Sequence, residues 1–178
     1  MCSVSIAGPA GMFTRRFFLS SAAPFLMIGG TEDAVVDFAT HAAIVPDRAP
    51  QGTLLAIEGG THISFASVAE PAMRFADHPD SLACDALLAG GEEAGDENPF
   101  LGLGNLGDGI NPNQSQLDIC SRPLGKAIHP GRQQMITQVA VVSFFASQFA
   151  EPAAARQAAR SLLNESMARD FPEVSVSR

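Results

Sequence analysis

Two apolar runs near the start of the chain end in the same tripeptide, Gly-Gly-Thr. The first run, 24–28, leads into 29–31, and the second, 53–58, leads into 59–61. Short apolar runs bounded by glycine or proline are typical of buried strands, and paired glycines permit a tight turn directly after a strand. The segment between them, 34–48, has apolar residues three and four positions apart, which predicts a short helix. A strand, a helix and a strand in this order indicate a parallel sheet with a right-handed crossover.

The rest of the chain extends this α/β pattern. We predict at least three parallel strands, at 3–8, 25–29 and 53–58, with helices packed on the sheet. A segment at 132–149 is apolar over most of a helical circumference, so we expect a buried helix there. Its predicted apolar face consists of Met135, Val139, Val142, Ala146 and Phe149, widened by Ile136, Phe144 and Phe145. An Ala- and Arg-rich last helix is predicted at 152–169, with its proline in the first turn.

Composition excludes several classes of protein. The 178 residues suit one domain, and 46% hydrophobic residues supply a core. A formal charge of −8 argues against a nucleic-acid partner, which needs clustered Lys and Arg. No apolar run reaches the roughly 18 residues that span a bilayer, so no membrane partner is expected. Three cysteines are too few for a disulfide scaffold, although a single Cys84–Cys120 bridge stays open.

The two Gly-Gly loops carry the residues with chemical potential. Asp33 follows the first loop and His62 follows the second. Since both loops leave the carboxyl ends of parallel strands, they lie at the same sheet edge, where ligands and catalytic groups collect. A carboxylate beside a histidine Nδ1 fixes the ring tautomer and stabilises the imidazolium that forms when the ring takes a proton. Asp33 and His62 are therefore predicted to be spatial neighbours.

The stretch from Pro24 to Phe65 resembles the C-terminal half of an α/β-hydrolase, in the branch of dienelactone hydrolase and platelet-activating-factor acetylhydrolase. Gly30-Thr-Glu-Asp33 is similar to the family's Gly-x-x-Asp, and Gly59-Gly-Thr-His-Ile-Ser-Phe65 to its Gly-Gly-x-His-x-x-Phe. The resemblance implies ester hydrolysis through an acyl-enzyme, with His62 as general base and Asp33 as its orienting acid. It also implies that Phe65 belongs to an acyl pocket and that segment 66–132 is a loop-rich insertion or cap.

The chain departs from the family at the nucleophile. The family places it in Gly-x-Ser-x-Gly, and no Gly-x-Ser occurs in this sequence. We therefore interpret residues 1–178 as a single but incomplete domain that lacks the N-terminal half of the sheet and is inactive on its own. The expected partners are a small ester substrate once the fold is completed, and a complementing chain or a second copy. The alternative is a non-catalytic half-fold or a binding subunit, because half a sheet exposes an unpaired edge.

The polar residues of the two loops also fit structural roles. An aspartate after a strand often caps the helix that follows, which applies equally to Asp33. Glu32 is the alternative acid, but the family pattern favours Asp33. Cys2 precedes the first strand, and Cys84 and Cys120 follow the histidine in irregular sequence, so structural thiols or a disulfide are favoured over nucleophiles.

The N-terminal segment contains an export-like pattern. Thr14-Arg-Arg-Phe-Phe-Leu-Ser20 resembles a twin-arginine motif, and the following apolar stretch resembles its hydrophobic region. Pro24 to Asp33 is already explained by the strand and loop, and a small-residue cleavage site is missing after it. We therefore expect a cytoplasmic protein, with export through this segment as the alternative.

No cofactor or metal is expected from the remaining signals. Gly102-Leu-Gly-Asn-Leu-Gly107 fits a dinucleotide-binding pattern, but it lies in a Gly-rich loop rather than between a strand and a helix. Surface positions are predicted for the other three histidines, which lack zinc-ligand spacing. A solvated loop is predicted for the acidic run, which lacks a calcium-binding pattern. The histidines are His41, His78 and His129, and the run is Glu92, Glu93, Asp96 and Glu97.

Overall fold

The computed structural model describes residues 1–67, 71, 73–89, 101–114, 119–120 and 123–178. They form an open four-stranded sheet in the order β1-β2-β3-β4, flanked by helices. The strands are β1 (Ser3–Ile6), β2 (Phe25–Gly30), β3 (Gly52–Ile57) and β4 (Val174–Ser177). The first three are parallel and β4 runs antiparallel to β3. The predicted α/β class and the three parallel strands are confirmed, whereas β4 was missed.

Seven helices were identified in the described part of the chain, together with several short helical turns. A π-helical turn, Leu162–Ser166, joins the last two helices, and 3₁₀ turns cover Ile63–Phe65, Leu101–Leu103, Leu106–Asp108 and Pro112–Gln114. The helices are α1 (Arg15–Leu19), α2 (Phe38–His41), α3 (Val45–Arg48), α4 (Asp80–Ala89), α5 (Pro130–Phe149), α6 (Ala153–Ser161) and α7 (Met167–Asp170).

The core forms two layers because successive side chains of a strand point to opposite faces of the sheet. On one face, the central strands contribute Leu26, Ile28, Leu55 and Ile57, which pack against α5 and the α6–α7 segment. On the other face, Met27 and Leu54 pack against the α2–α3 connection. Both central strands are almost completely buried, as expected for strands with neighbours on each side.

The single helix predicted between β2 and β3 is wrong in detail. The connection contains two short helices instead, α2 and α3. The Asp37 side chain accepts from the Thr40 N–H and starts α2. Pro46 lies in the first turn of α3 and has no N–H, so the hydrogen-bond ladder cannot continue from one helix into the next.

The buried helix predicted at 132–149 is present as α5, but its predicted face is turned to the wrong side. Met135, Val142 and Phe149 are 39%, 67% and 62% exposed. The buried face has polar members, among them Gln133 and Thr137, alongside apolar Ile136, Ala140 and Phe144. Hydrogen bonds inside the fold satisfy Gln133 and Thr137, which is why an apolar pattern alone mispredicted the orientation of the helix.

The N-terminal segment is part of the sheet architecture. β1 pairs with β2 in parallel register, Ser3 opposite Phe25 and Ile6 opposite Ile28. Arg15 lies in α1 and donates to the Asp47 carbonyl oxygen. On its outer side, β1 pairs with no other strand among the described residues. Within the same residues, no helix has both the length and the apolar character needed to cross a membrane.

Candidate acid–base site

Asp33 lies in the loop that follows β2, and its two carboxylate oxygens form hydrogen bonds with different groups. Oδ1 accepts the backbone N–H groups of Val35 and Val36, at 2.9 and 2.7 Å, and so forms a local turn. Oδ2 lies 3.0 Å from His62 Nδ1. Asp33 therefore pairs with the histidine and forms a local turn, but it does not cap the helix that follows, because Asp37 is the N-cap of α2. The Asp33 side chain is only 2% exposed.

His62 lies just after β3 and precedes the 3₁₀ turn Ile63–Phe65. A carboxylate can only accept, so Nδ1–H of the ring donates to Asp33 and Nε2 is the basic position. The His62 side chain is 30% exposed, while its acid partner is shielded. The predicted proximity of the two residues, 29 positions apart in sequence, is confirmed as a hydrogen-bonded pair.

The surroundings of His62 favour its protonated form. The hydrogen bond to Asp33 raises the pKa of His62 above its ordinary value of 6.5, against the lowering effect of burial. The negative charges of Asp33 and Asp80 add to this increase in the pKa. A ring that gains a proton in this position is therefore stabilised by its acid partner, as a general base requires.

The two Gly-Gly loops contact each other through their backbones. A Cβ atom on Gly30 would collide with the carbonyl group of Gly60, and a Cβ on Gly60 would lie 2.9 Å from Gly30 Cα. The Glu32 N–H donates to the Gly60 carbonyl oxygen at 2.9 Å. The Gly59 N–H donates to Thr31 Oγ1 at 2.9 Å, and Gly59 has φ of +70°. Paired glycines are needed because side chains would separate the loop at 29–33, here called the acid loop, from the loop at 59–62, here called the histidine loop.

Asp80, at the start of α4, joins the same two loops and was not predicted. Its Oδ2 accepts from the N–H of Ala34 at 3.0 Å and from that of His62 at 2.9 Å. Its Oδ1 accepts from the Ile63 N–H at 2.7 Å. The side chain is fully buried. The only sequence signal is an acidic residue in the first turn of a helix, which ordinarily indicates a cap and not a contact with distant loops.

Gln133 holds the histidine loop from the opposite side and was also missed. Its Oε1 accepts from the Thr61 N–H at 2.9 Å, and its Nε2 donates to the Thr61 carbonyl oxygen at 2.8 Å. Thr61 Oγ1 is in turn 2.7 Å from Ser64 Oγ. The backbone immediately before His62 is therefore fixed by a buried amide. A glutamine on an apolar helix gives no sign of this role in sequence.

A disulfide joins Cys84 in α4 to Cys120. The Cys120 N–H donates to the carbonyl oxygen of Ala34, the residue after the acid, at 2.6 Å. The bridge left open by the sequence is thus formed, and it anchors α4 beside the acid loop. Cys2 is a free, partly buried thiol.

Two of the three remaining histidines lie inside the protein, against the prediction of surface positions. His41 is fully buried, and its Nδ1 accepts the Gly11 N–H at 2.9 Å. Burial lowers the pKa of His41, and this effect outweighs the opposing charges of Asp37 and Asp33. His78 is 6% exposed. His129 is exposed as predicted and caps α5 by accepting from the Gly131 N–H.

The other sequence signals do not join the acid–base pair. The carboxylate of Glu32, the alternative acid, lies against Gly125, and its described contacts do not include His62. Residues 102–107 extend from the 3₁₀ turn Leu101–Leu103 into the 3₁₀ turn Leu106–Asp108, so they do not connect a strand to an α-helix. Across the described residues, no group of three or more His, Cys, Asp or Glu side chains could hold a metal ion. The acidic run, Glu92, Glu93, Asp96 and Glu97, lies outside the described residues.

Two of the cavities in the described part of the chain differ in their lining. A polar one of about 120 Å³ borders Asp33 and is lined by Glu32, Asp37 and His78 among others. A groove of about 390 Å³ lies along one face of β1 and is lined by four aromatic rings. Neither Asp33 nor His62 lines this groove. Phe65, expected in an acyl pocket, packs against the sheet core. The groove rings are Phe13, Phe17, Phe18 and Phe25.

The arrangement amounts to an aspartate–histidine pair at the carboxyl edge of a parallel sheet, with Nε2 as its basic atom. Comparison with protein-family models, with curated proteins and with solved structures finds no match for this chain. The class established by the structure is a mixed α/β fold with an open, mostly parallel sheet.

Proposed function

We propose that this chain supplies the acid and the base of an α/β-hydrolase-type carboxylic-ester hydrolase. The observation that carries the proposal is the 3.0 Å contact between Asp33 Oδ2 and His62 Nδ1 at the carboxyl ends of β2 and β3. In this mechanism Nε2 of His62 takes the proton of a serine hydroxyl and later returns it to the leaving alcohol. Asp33 orients the ring and stabilises the imidazolium.

The nucleophile and the oxyanion hole belong to sequence that these 178 residues do not contain. A serine in Gly-x-Ser-x-Gly has to approach Nε2 to within hydrogen-bond distance before the histidine can activate it. The unpaired outer edge of β1 supports this proposal, because β1 pairs with no other described strand on that side and its backbone groups there are a template for a further parallel strand. A small ester is the proposed substrate.

An ester assay tests the proposal in two stages. The chain alone should turn over a short-chain p-nitrophenyl ester no faster than its His62→Ala variant. When the chain is joined to a hydrolase segment that bears Gly-x-Ser-x-Gly, encoded upstream of Met1, turnover should appear and fall by about 10³-fold or more with His62→Ala. His129→Ala, at an exposed cap, is the matched control. Turnover by the chain alone that survives His62→Ala would contradict the assignment.

A non-catalytic half-fold is the second candidate, and one observation favours it. Val142, Phe145 and Phe149 form an exposed apolar stripe on α5, on the sheet face that β1 also borders. Such a surface together with an unpaired strand edge favours association with another chain or a second copy. Sedimentation of the purified chain tests this candidate, since a monomer at all concentrations would remove the need for a partner.

We propose that residues 14–30 remain in the folded protein in place of serving as a removable export signal. The nearest small-residue cleavage site to the twin-arginine-like motif is Ser21-Ala-Ala23. Cleavage there would remove β1 and α1 and would leave β2, whose Leu26, Met27 and Ile28 are fully buried, without its parallel neighbour β1. A mature N-terminus near Ala22 would contradict this.

The Cys84–Cys120 bridge fits an oxidising compartment better than the expected cytoplasm. Thiol labelling in the native cells distinguishes the two locations.

A further inference from the structure

We propose that Asp80 is a positioning residue for the Asp33–His62 pair, and that it holds the backbones of the acid loop and the histidine loop at one fixed separation. This inference rests on the proposed function. Asp80 touches neither the His62 ring nor a reacting atom, so it acts only through the residues it holds.

The hydrogen bonds of Asp80 converge from both loops. Oδ2 accepts from Ala34, the residue after the acid, and from His62 itself, at 3.0 and 2.9 Å. Oδ1 accepts from Ile63 at 2.7 Å. One side chain therefore fixes a backbone atom next to each member of the pair. Any displacement of this carboxylate moves the acid or the base relative to the other.

The chemistry of the site requires a carboxylate. Three N–H groups point at one side chain, and only two acceptor oxygens with several lone pairs can satisfy them together. Asparagine offers one oxygen and presents its NH₂ group to at least one of these donors. Asp80 is also the first residue of α4, whose positive N-terminal end stabilises a negative charge. Full burial of this charge is therefore tolerated at this position.

The disulfide bridge in turn restrains the helix that carries Asp80. Cys84, one helical turn later in α4, is bridged to Cys120. The Cys120 N–H donates to the Ala34 carbonyl oxygen at 2.6 Å, while the Ala34 N–H donates to Asp80. Both backbone polar groups of Ala34 are thus held by groups that the disulfide links, Asp80 in α4 and Cys120. The negative charge of Asp80 also raises the pKa of His62, although the Asp33 hydrogen bond is the larger cause.

NMR titration of the full chain tests the role, with Asp80→Asn compared with Asp37→Asn. Asp37 is a matched control because it also accepts a helix N-terminal N–H, but from its own turn alone. In Asp80→Asn, the His62 pKa should fall and the Nδ1 proton should exchange faster with water. Amide exchange of Ala34, His62 and Ile63 should accelerate by about tenfold or more, the value of one lost hydrogen bond to a charged group. Asp37→Asn should leave these readouts unchanged.

A measurement on the unmodified chain covers the case in which Asp80→Asn does not fold. The amide groups of Ala34, His62 and Ile63 should each show an NMR coupling across a hydrogen bond to the Asp80 side-chain carboxyl carbon, since a single carboxylate accepts from all three. Absence of the coupling to Ala34, or of those to both His62 and Ile63, would overturn the proposal, as would a folded Asp80→Asn with unchanged His62 behaviour. These spectra need no turnover. They can therefore contradict the role of Asp80 while the ester-hydrolase proposal stands, and the ester assay can fail while the role of Asp80 stands.

Discussion

His41 is fully buried and His62 is partly buried, and the structure shifts their pKa values in opposite directions. His62 donates to the carboxylate of Asp33, and this contact raises its pKa. His41 makes no hydrogen bond to a carboxylate within the described part of the chain, its Nδ1 accepts an N–H from Gly11, and burial lowers its pKa. The comparison shows that burial alone does not prepare a histidine for proton transfer. The neighbour at Nδ1 decides whether the ring is a base or a neutral structural residue.

The largest effect is expected from a substitution at Gly30, where the acid loop contacts the histidine loop at Gly60. Gly30→Ala places a methyl group against the Gly60 carbonyl and should lower the free energy of unfolding by about 3 kcal/mol. The His62 pKa should then fall, because the histidine loop moves away from Asp33. Urea denaturation and NMR titration measure the two effects. Gly102→Ala is the control, since a Cβ there meets open space. Equal stability of the two variants would refute the close-packed arrangement.

Removing the negative charge of Asp33 should make the pKa values of His62 and His41 more alike. In Asp33→Asn the His62 pKa should fall strongly, while the His41 pKa, which the charge of Asp33 raises only weakly, should fall less. The cost in unfolding free energy should be about 1–2 kcal/mol, since a charge-assisted hydrogen bond becomes a neutral one. NMR titration of both rings in one sample checks the order. A larger shift at His41 would reverse the interpretation.

The smallest effect is a difference in how stability depends on pH. The pKa of His62 is raised in the folded state, so its extra stability is present below pH 6.5 and disappears as pH rises through the folded pKa. The pKa of His41 is lowered, so its contribution is present above pH 6.5 and is lost as pH falls through the folded pKa.

Substitutions separate these two contributions. His62→Gln should destabilise the fold more at pH 5 than at pH 8, whereas the cost of His41→Asn should shrink as pH falls. The expected differences are below about 1 kcal/mol, measured by denaturation at each pH. Parallel pH curves for both variants would show that the two rings are equivalent.

The sequence was sufficient for the parts of the fold that depend on local pattern. The three parallel strands, the Gly-Gly loops and the Asp33–His62 contact follow from apolar runs and from the shared edge of parallel strands, whereas β4 was missed. It was not sufficient for Asp80 and Gln133, because their roles depend on which distant backbone groups they meet. The orientation of α5 failed in part for the same reason, since buried Gln133 is satisfied by tertiary hydrogen bonds to Thr61, whereas buried Thr137 donates to the Gln133 carbonyl oxygen within the helix.

The close approach of Gly30 and Gly60 also bears on how such a chain tolerates change over evolutionary time. No side chain lies between the acid loop and the histidine loop at this point, so their separation there is set by backbone contact. Drift in the apolar core can alter the volumes of Leu, Ile and Met side chains without entering that contact. Most neutral substitutions therefore leave the geometry of the Asp33–His62 pair unchanged, whereas Gly30 and Gly60 themselves tolerate almost no substitution.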